Sequence, residues 1–314
     1  MRIDPAKIGE GEVVLIAGPT AGGKTRLALD LAAALATGGR RACLVNADSM
    51  QVYGDLRILT ARPAREEFAG VAHHLFGHVD AGEAYSVGRW IAEVEEVLAG
   101  VRQRGETAIF VGGTGLYFKA LSEGISSMPD VPEAVREEVR ALAAREGAQG
   151  LARRLIECDP QAAAAIRPSD TQRLVRALEV NRASGRSILA FQREGRERAL
   201  VPDGPRFVLL PAREALYAAI DRRFEAMVEE GALEEVRSLL ARELSSDLPA
   251  MKAIGVRPLA EHLRGNISLG EAVEAAKTES RRYAKRQLTW LRHQLGEGWE
   301  RLEPAAHTAS GETA

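Results

Sequence analysis

No apolar run in the 314 residues approaches the ~18 that a membrane-spanning helix requires. The opening segment MRIDPAKIGEGE has no apolar stretch behind a basic one, so no export signal is read there and a soluble, unexported protein is expected. Cysteine is scarce. Cys43 and Cys158 stand far apart without CxxC spacing, which excludes a disulfide framework and a zinc ribbon and suits a reducing cytoplasm. Net charge is small as well: 42 Lys+Arg against 44 Asp+Glu leave -2, and so balanced a surface would not draw nucleic acid by its overall field. With 46% hydrophobic and 27% charged residues the chain is globular, long enough for a large core with a smaller appendage.

The overall balance conceals local excess. Between Arg167 and Arg198 eight arginines face four acidic residues, and between Lys277 and Arg292 six basic residues face Glu279 alone. Such segregation fits a nearly neutral protein that meets a polyanion at defined places, or two solvated helix faces.

Four short apolar runs read as buried parallel strands: Val13 to Ala17, Ala42 to Val45, Ala108 to Val111 and Phe207 to Leu210. Helical spacing separates the first three. Leu27, Leu31 and Leu35 recur between Thr25 and Leu35, ahead of Gly38-Gly39; Trp90, Val94, Val97 and Val101 recur between Ser86 and Val101. Alternating strands and helices predict an α/β fold with a doubly wound parallel sheet. The alternation stops at the turn-rich stretch Glu123 to Glu133 and resumes after Val201 to Arg206. Residues 121–205 are therefore expected to form a helical insertion domain, with Ser169 and Gln172 as a capping box, inside a core made of 1–120 and 206–302. The small, polar tail 303–314 is expected to be disordered.

The strongest chemical signal is GPTAGGKT, Gly18, Pro19, Thr20, Ala21, Gly22, Gly23, Lys24 and Thr25. It matches GxxxxGK(S/T), follows an apolar strand and opens a helix, which predicts a P-loop, the phosphate cradle of nucleotide-binding and ATP-binding proteins and of other diphosphate handlers. Glycines let backbone N–H groups converge on phosphate oxygens, the helix start adds partial positive charge and Lys24 a full one. Thr25 is placed to hold Mg2+ through its hydroxyl. Asp48 ends the second strand, where doubly wound sheets bind ligands, and can be a metal-holding acid, a general base or a turn cap. The third strand ends in glycines, VGGTGLYF, with no acid to hold a metal. These features alone also suit a small-molecule kinase, while a non-catalytic RNA-binding protein would need the arginines but no base at Asp48.

Taken together with ADSMQVY (Ala47 to Tyr53), TARP (Thr60 to Pro63), HHL (His73 to Leu75), AYSVGRW (Ala84 to Trp90), VGGTGLYFKAL (Val111 to Leu121), DTQRLVRALEV (Asp170 to Val180) and AKRQLTWLR (Ala284 to Arg292), the P-loop resembles the tRNA dimethylallyltransferase (isopentenyltransferase) family of the bacterial type, over nearly the whole chain. The resemblance implies transfer of a dimethylallyl group from dimethylallyl diphosphate to N6 of the adenosine immediately 3' of the anticodon, with Mg2+ assisting and diphosphate leaving. It implies catalytic roles for Asp48 as base and for Thr20 and Arg223 on the diphosphate side. It further implies that Asp48, Ser49, Met50, Gln51 and Thr114 line the adenine end. Arg136, the run Gln172, Arg173, Leu174, Val175 and Arg176, and the stretch from Lys252 to Arg257 would meet the anticodon stem-loop. A cytoplasmic monomer is expected.

Other positions carry less. Ala284, Leu288, Leu291 and Leu295 form a core-facing stripe on the last helix, with Arg281, Lys285 and Arg292 beside it and Trp290 outside it. His73 and His74 are adjacent and so point differently, which makes them a poor metal pair. Three positions depart from the family pattern: Gly77-His78 where an acidic residue is usual, Arg62 where lysine is usual, and Val256 where tyrosine is frequent.

Overall fold

A computed structural model describes residues 2–194, 199–201 and 203–303; the carboxyl-terminal tail expected to be disordered lies, but for Glu303, outside the described residues. The chain divides into two compact units, Met1–Ser122 with Val201–Ala314, and Glu123–Leu200.

The first unit is built on six parallel strands: β1 (Val13–Ala17), β2 (Ala42–Asn46), β3 (Ala72–His74), β4 (Thr107–Gly112), β5 (Arg206–Leu209) and β6 (Glu300–Leu302), in the order β3-β2-β4-β1-β5-β6. All six residues of β4 are buried, as a central strand covered on both faces must be. The two strands not expected from the sequence, β3 and β6, are the edges. Each has three residues, and neither has the apolar run that marks an interior strand. β5 also starts one residue earlier than expected and stops before Leu210.

Helices α1 (Lys24–Thr37), α2 (Val87–Gln103) and α3 (Gly115–Glu123) follow the strands. On α1, Leu27, Leu31 and Leu35 face the sheet core with Val14, Ile16, Leu44 and Ile109. On α2 the buried stripe is Trp90, Val94, Leu98 and Val101, so Leu98 takes the place expected of Val97. The 3.6-residue period admits either neighbour.

The second unit contains α4 (Glu133–Cys158), interrupted at Gly147, then α5 (Pro160–Ala165), α6 (Thr171–Ser184) and α7 (Ile188–Arg193), with no strand among its described residues. Its core gathers Val139, Leu142, Leu151, Leu155, Leu174, Ala177 and Leu178. The start of α6 corrects the sequence reading: Asp170, not Ser169, is the cap, and its Oδ1 accepts from the N–H of Arg173. Both residues can cap, and only the turn before the helix decides between them.

Four helices complete the first unit, α8 (Arg213–Glu229), α9 (Ala232–Leu240), α10 (Val256–Leu263) and α11 (Leu269–Gln294). Leu216 and Ile220 of α8 pack on Ala284 and Leu288 of α11, with Ala21 of the P-loop against them. Two ion pairs lock the same helices: Lys277 to Glu225 at 2.7 Å and Arg281 to Asp221 at 2.6 Å. α11 ends before Leu295, so the expected stripe is Ala284, Leu288 and Leu291, and Leu295 is a non-helical cap residue. Cys43 is buried in β2, whereas Cys158 is exposed.

Candidate active site

The sheet order places the loop after β4 between those after β1 and β2, so GPTAGGKT, Gly112 to Gly115 and Ala47 to Gln51 meet at the carboxyl ends of the three strands. In the P-loop, Ala21 and Gly23 take left-handed φ of 58° and 82°. The alternation turns successive N–H groups to one side. Those of Gly23, Lys24 and Thr25 find no acceptor among the described residues, and a loop of this shape is a concave anion site.

Lys24 is buried at 8% exposure, its Nζ donating to the Pro19 carbonyl at 3.4 Å. Burial lowers its pKa to about 8; Asp48 opposes that fall and Arg223 adds to it. Arg223, from α8, donates to Thr20 Oγ1, joining residues 203 positions apart. Burial lowers its pKa to about 10, again opposed by Asp48. A desolvated pair of cations around one carboxylate is costly without a further anion, and a diphosphate would relieve that cost.

Asp48 is held by its neighbours. Asn46, fully buried, accepts from Asp48 N–H through Oδ1 at 2.9 Å and donates through Nδ2 to the carbonyls of Asp48 at 2.9 Å and Leu75 at 3.0 Å. Asp48 Oδ1 accepts from Met50 N–H at 3.0 Å, closing a local turn. Ser49 N–H donates to Thr114 Oγ1 at 2.9 Å, which fastens this loop to the one after β4. Trp90 stacks on Tyr117 at 4.0 Å and donates its Nε1–H to the Asn46 carbonyl at 3.0 Å. Burial, reinforced by Asp48, keeps the hydroxyls of Tyr117 and Tyr283 neutral far above their ordinary range.

Gln287 of α11 accepts from Thr20 N–H at 2.8 Å and donates to the Gly113 carbonyl at 3.0 Å. Trp290, outside the stripe as expected, packs its ring where a Cβ at Gly115 would stand. Sequence reasoning did not single out Asn46, Gln287, Tyr117 or Tyr283. For Gln287 a signal was present: a polar residue three positions after Ala284 and four before Leu291 sits on the buried side of the helix.

The remaining site residues are distributed as follows. Gln51 donates to the carbonyls of Thr60 at 2.9 Å and Ala61 at 3.2 Å, so its amide holds the TARP element. Lys252 is exposed with Asp247 at 3.8 Å, and Arg257 is exposed at the start of α10, while Val256 beside it is buried. In the second unit Gln172 and Arg173 are exposed, Leu174 is buried in the core, and Val175 and Arg176 are half-buried. Arg136 lies 3.9 Å from Glu133, Arg173 3.5 Å from Asp170 and Arg176 3.5 Å from Glu179. The arginine excess of this unit is thus partly paired, in exposed, weak bridges at Arg136 and Arg173 and a half-buried one at Arg176. On α11, Lys277 and Arg281 are taken up by α8, and among the described residues Arg282, Lys285, Arg286 and Arg292 remain exposed without an ion pair. His73 stacks on Phe68 at 3.8 Å with Nδ1 against the Val71 carbonyl at 2.8 Å, a packing role.

Residues 51–294 match the family described as IPP transferase. A tRNA dimethylallyltransferase of Phenylobacterium zucineum is 53% identical over 95% of this chain and 94% of its own length, and one of Agrobacterium fabrum is 48% identical over 93% and 97%. Among solved structures, the tRNA isopentenylpyrophosphate transferase of Bacillus halodurans superposes with a TM-score of 0.65 at 35% identity, covering 94% of this chain and 90% of that one. A eukaryotic dimethylallyltransferase acting on tRNA gives a TM-score of 0.76 at 27% identity, covering 93% and 73%.

Proposed function

Because the chain belongs to the IPP transferase family, whose curated relatives here are tRNA dimethylallyltransferases, we propose that it takes the dimethylallyl group from dimethylallyl diphosphate and places it on N6 of the adenosine immediately 3' of the anticodon. The acceptor would be an anticodon stem-loop and the compartment the cytoplasm; no helix among the described residues is long and apolar enough to cross a membrane.

The chemistry follows from the three loops. The allylic C–O bond breaks with its electron pair on the diphosphate oxygen, while the N6 lone pair forms the new C–N bond. The N6 proton passes to the Asp48 carboxylate. Charge growing on the leaving group meets the N–H groups of Gly23, Lys24 and Thr25, the Lys24 ammonium and the Arg223 guanidinium aligned by Thr20. Among the described residues no cluster of His, Cys, Asp or Glu could hold a metal unaided, and the half-buried Thr25 hydroxyl, which has no hydrogen-bond partner among them, would be the protein group that holds Mg2+. Mg2+ would supply further neutralisation of the departing charge. The adenine must leave its stack to reach Asp48, at a cost of about a few kcal/mol that contacts to the surrounding RNA offset.

The observation that carries this reading is the meeting of three loops at adjacent strand ends, which brings Asp48 after β2 beside the P-loop that holds Lys24 and, through Thr20, Arg223. Incubating the protein with an unmodified anticodon stem-loop, dimethylallyl diphosphate and Mg2+ should add one C5H8 unit to the RNA by mass spectrometry. RNA of unchanged mass, with pyrophosphate never released, would refute it.

A further inference from the structure

Gln287 is 6% exposed on the core side of α11, between the buried residues Ala284 and Leu291. A buried amide needs partners at both ends, and this one finds them on two different loops. Its oxygen meets the N–H of Thr20 and its nitrogen meets the carbonyl of Gly113. The orientation is set by the partners, because a backbone N–H can only donate and a carbonyl can only accept.

The two loops are the two halves of the site. Thr20 belongs to the anion cradle, and its hydroxyl receives Arg223. Gly113 precedes Thr114, whose hydroxyl fastens Ser49 beside Asp48. Gly113 is shaped for the bridge: a Cβ there would lie 2.2 Å from Gln287 Nε2, so no other residue admits the amide. The P-loop and the loop after β4 also touch directly, through Gly18 N–H to the Gly112 carbonyl at 3.2 Å, but that contact lies at the strand ends and does not reach Thr20.

We infer that Gln287 is a positioning residue: a single amide sets the spacing between the leaving-group cradle and the loop that carries the base side, and holds Thr20 where it aligns Arg223. Displacement at carbon needs the leaving oxygen and the attacking nitrogen in line, so a cradle free to drift by an ångström loses rate even with every reacting group present. The inference rests on the reading of the cradle as a diphosphate site.

Three variants test it, Q287M, Q287A and G113A, together with the double variant Q287A/G113A. Q287M keeps length and burial without charge or hydrogen bonds, and decides the matter where Q287A fails to fold. Calorimetry with inorganic pyrophosphate and Mg2+ reports the cradle, anisotropy with an anticodon stem-loop reports RNA binding, and single-turnover transfer reports the reaction. Each folded single variant should bind pyrophosphate at least fivefold more weakly and transfer at least tenfold more slowly at saturating donor, with a smaller change in stem-loop affinity. In the double variant the loss should not exceed that of Q287A, since removing the amide vacates the space the new Cβ needs. A loss of pyrophosphate affinity below fivefold in every folded variant, an equal loss of stem-loop affinity, or multiplied losses in the double variant would overturn the inference. Wild-type protein that binds pyrophosphate yet transfers nothing would instead sink the proposed function, leaving the binding effect of Gln287 to be judged by calorimetry alone.

Discussion

The Arg62 guanidinium occupies the volume that a side chain at residue 77 would need. A Cβ on Gly77 would lie 2.6 Å from Arg62 Cζ, and the guanidinium is fastened there by a 3.0 Å hydrogen bond to the Gly54 carbonyl. Two of the three positions singled out in the sequence, Arg62 and Gly77, therefore share one volume in this chain.

Gly77 also takes a left-handed φ of 61°, so alanine there meets both backbone strain and the guanidinium. G77A should destabilise the protein by about 1–2 kcal/mol in urea unfolding. R62A/G77A should recover the steric part relative to the sum of the single variants. Strict additivity would show that the two positions do not share this space.

Lys24 has a second role in stability. Its folded pKa of about 8 lies below the unfolded value of 10.5, so between those values the unfolded chain binds more protons and stability rises with pH. Below pH 8 the charged, desolvated amine works against folding. K24M should thus raise stability at pH 7 by about 1–3 kcal/mol while abolishing pyrophosphate binding. It should also flatten the stability gain between pH 8 and 10.5, as followed by thermal melts across that range.

The same group makes anion binding pH-dependent. The protonated amine is the binding form, so pyrophosphate affinity should fall as pH climbs above about 8, with proton uptake on binding. Calorimetry in buffers of different ionisation enthalpy measures that uptake directly. Affinity that stays level from pH 7 to 9.5 would place the anion away from Lys24.

Asp48 can be altered without disturbing its loop. Asparagine retains the oxygen that accepts from Met50 N–H, and the Asn46 bonds go only to the Asp48 backbone. D48N should therefore lower the transfer rate roughly 10²- to 10⁴-fold, with stem-loop affinity little changed. An equal loss in both would make Asp48 a binding residue first.

Glu235 of α9 accepts from three successive N–H groups, those of Arg57 at 2.8 Å, Ile58 at 2.7 Å and Leu59 at 2.9 Å. E235A orphans all three donors and should cost about 2–4 kcal/mol in urea unfolding. Because Gln51 reaches the Thr60 carbonyl next to this turn, the variant should also raise the KM for the stem-loop.

What could be read in advance follows from the range of the forces involved. The P-loop was legible because it is local: eight consecutive residues between a strand and a helix carry both the geometry and the charge. The four inner strands were legible because burial on both faces leaves an unbroken apolar run. Ala72–His74 and Glu300–Leu302 were not, since an edge strand of three residues needs no such run. The contact of Thr20 with Arg223 could be expected only through family resemblance. Asn46 and Gln287 stayed hidden because the value of a buried amide lies wholly in which distant backbone groups it meets, and no periodicity encodes that.

The Gln287 bridge spans 267 positions, from the first loop of the chain to its last helix. Translated from the amino end at roughly 5–20 residues per second, the anion cradle emerges on the order of 10–50 s before the amide that sets it. The strand ahead of the phosphate loop pairs with residues 108–112 and 206–208, and Ala21 packs on α8 and α11, so a growing chain stays without a finished catalytic centre through most of its synthesis. A ribosome that stalls midway would release a fragment unable to spend the donor.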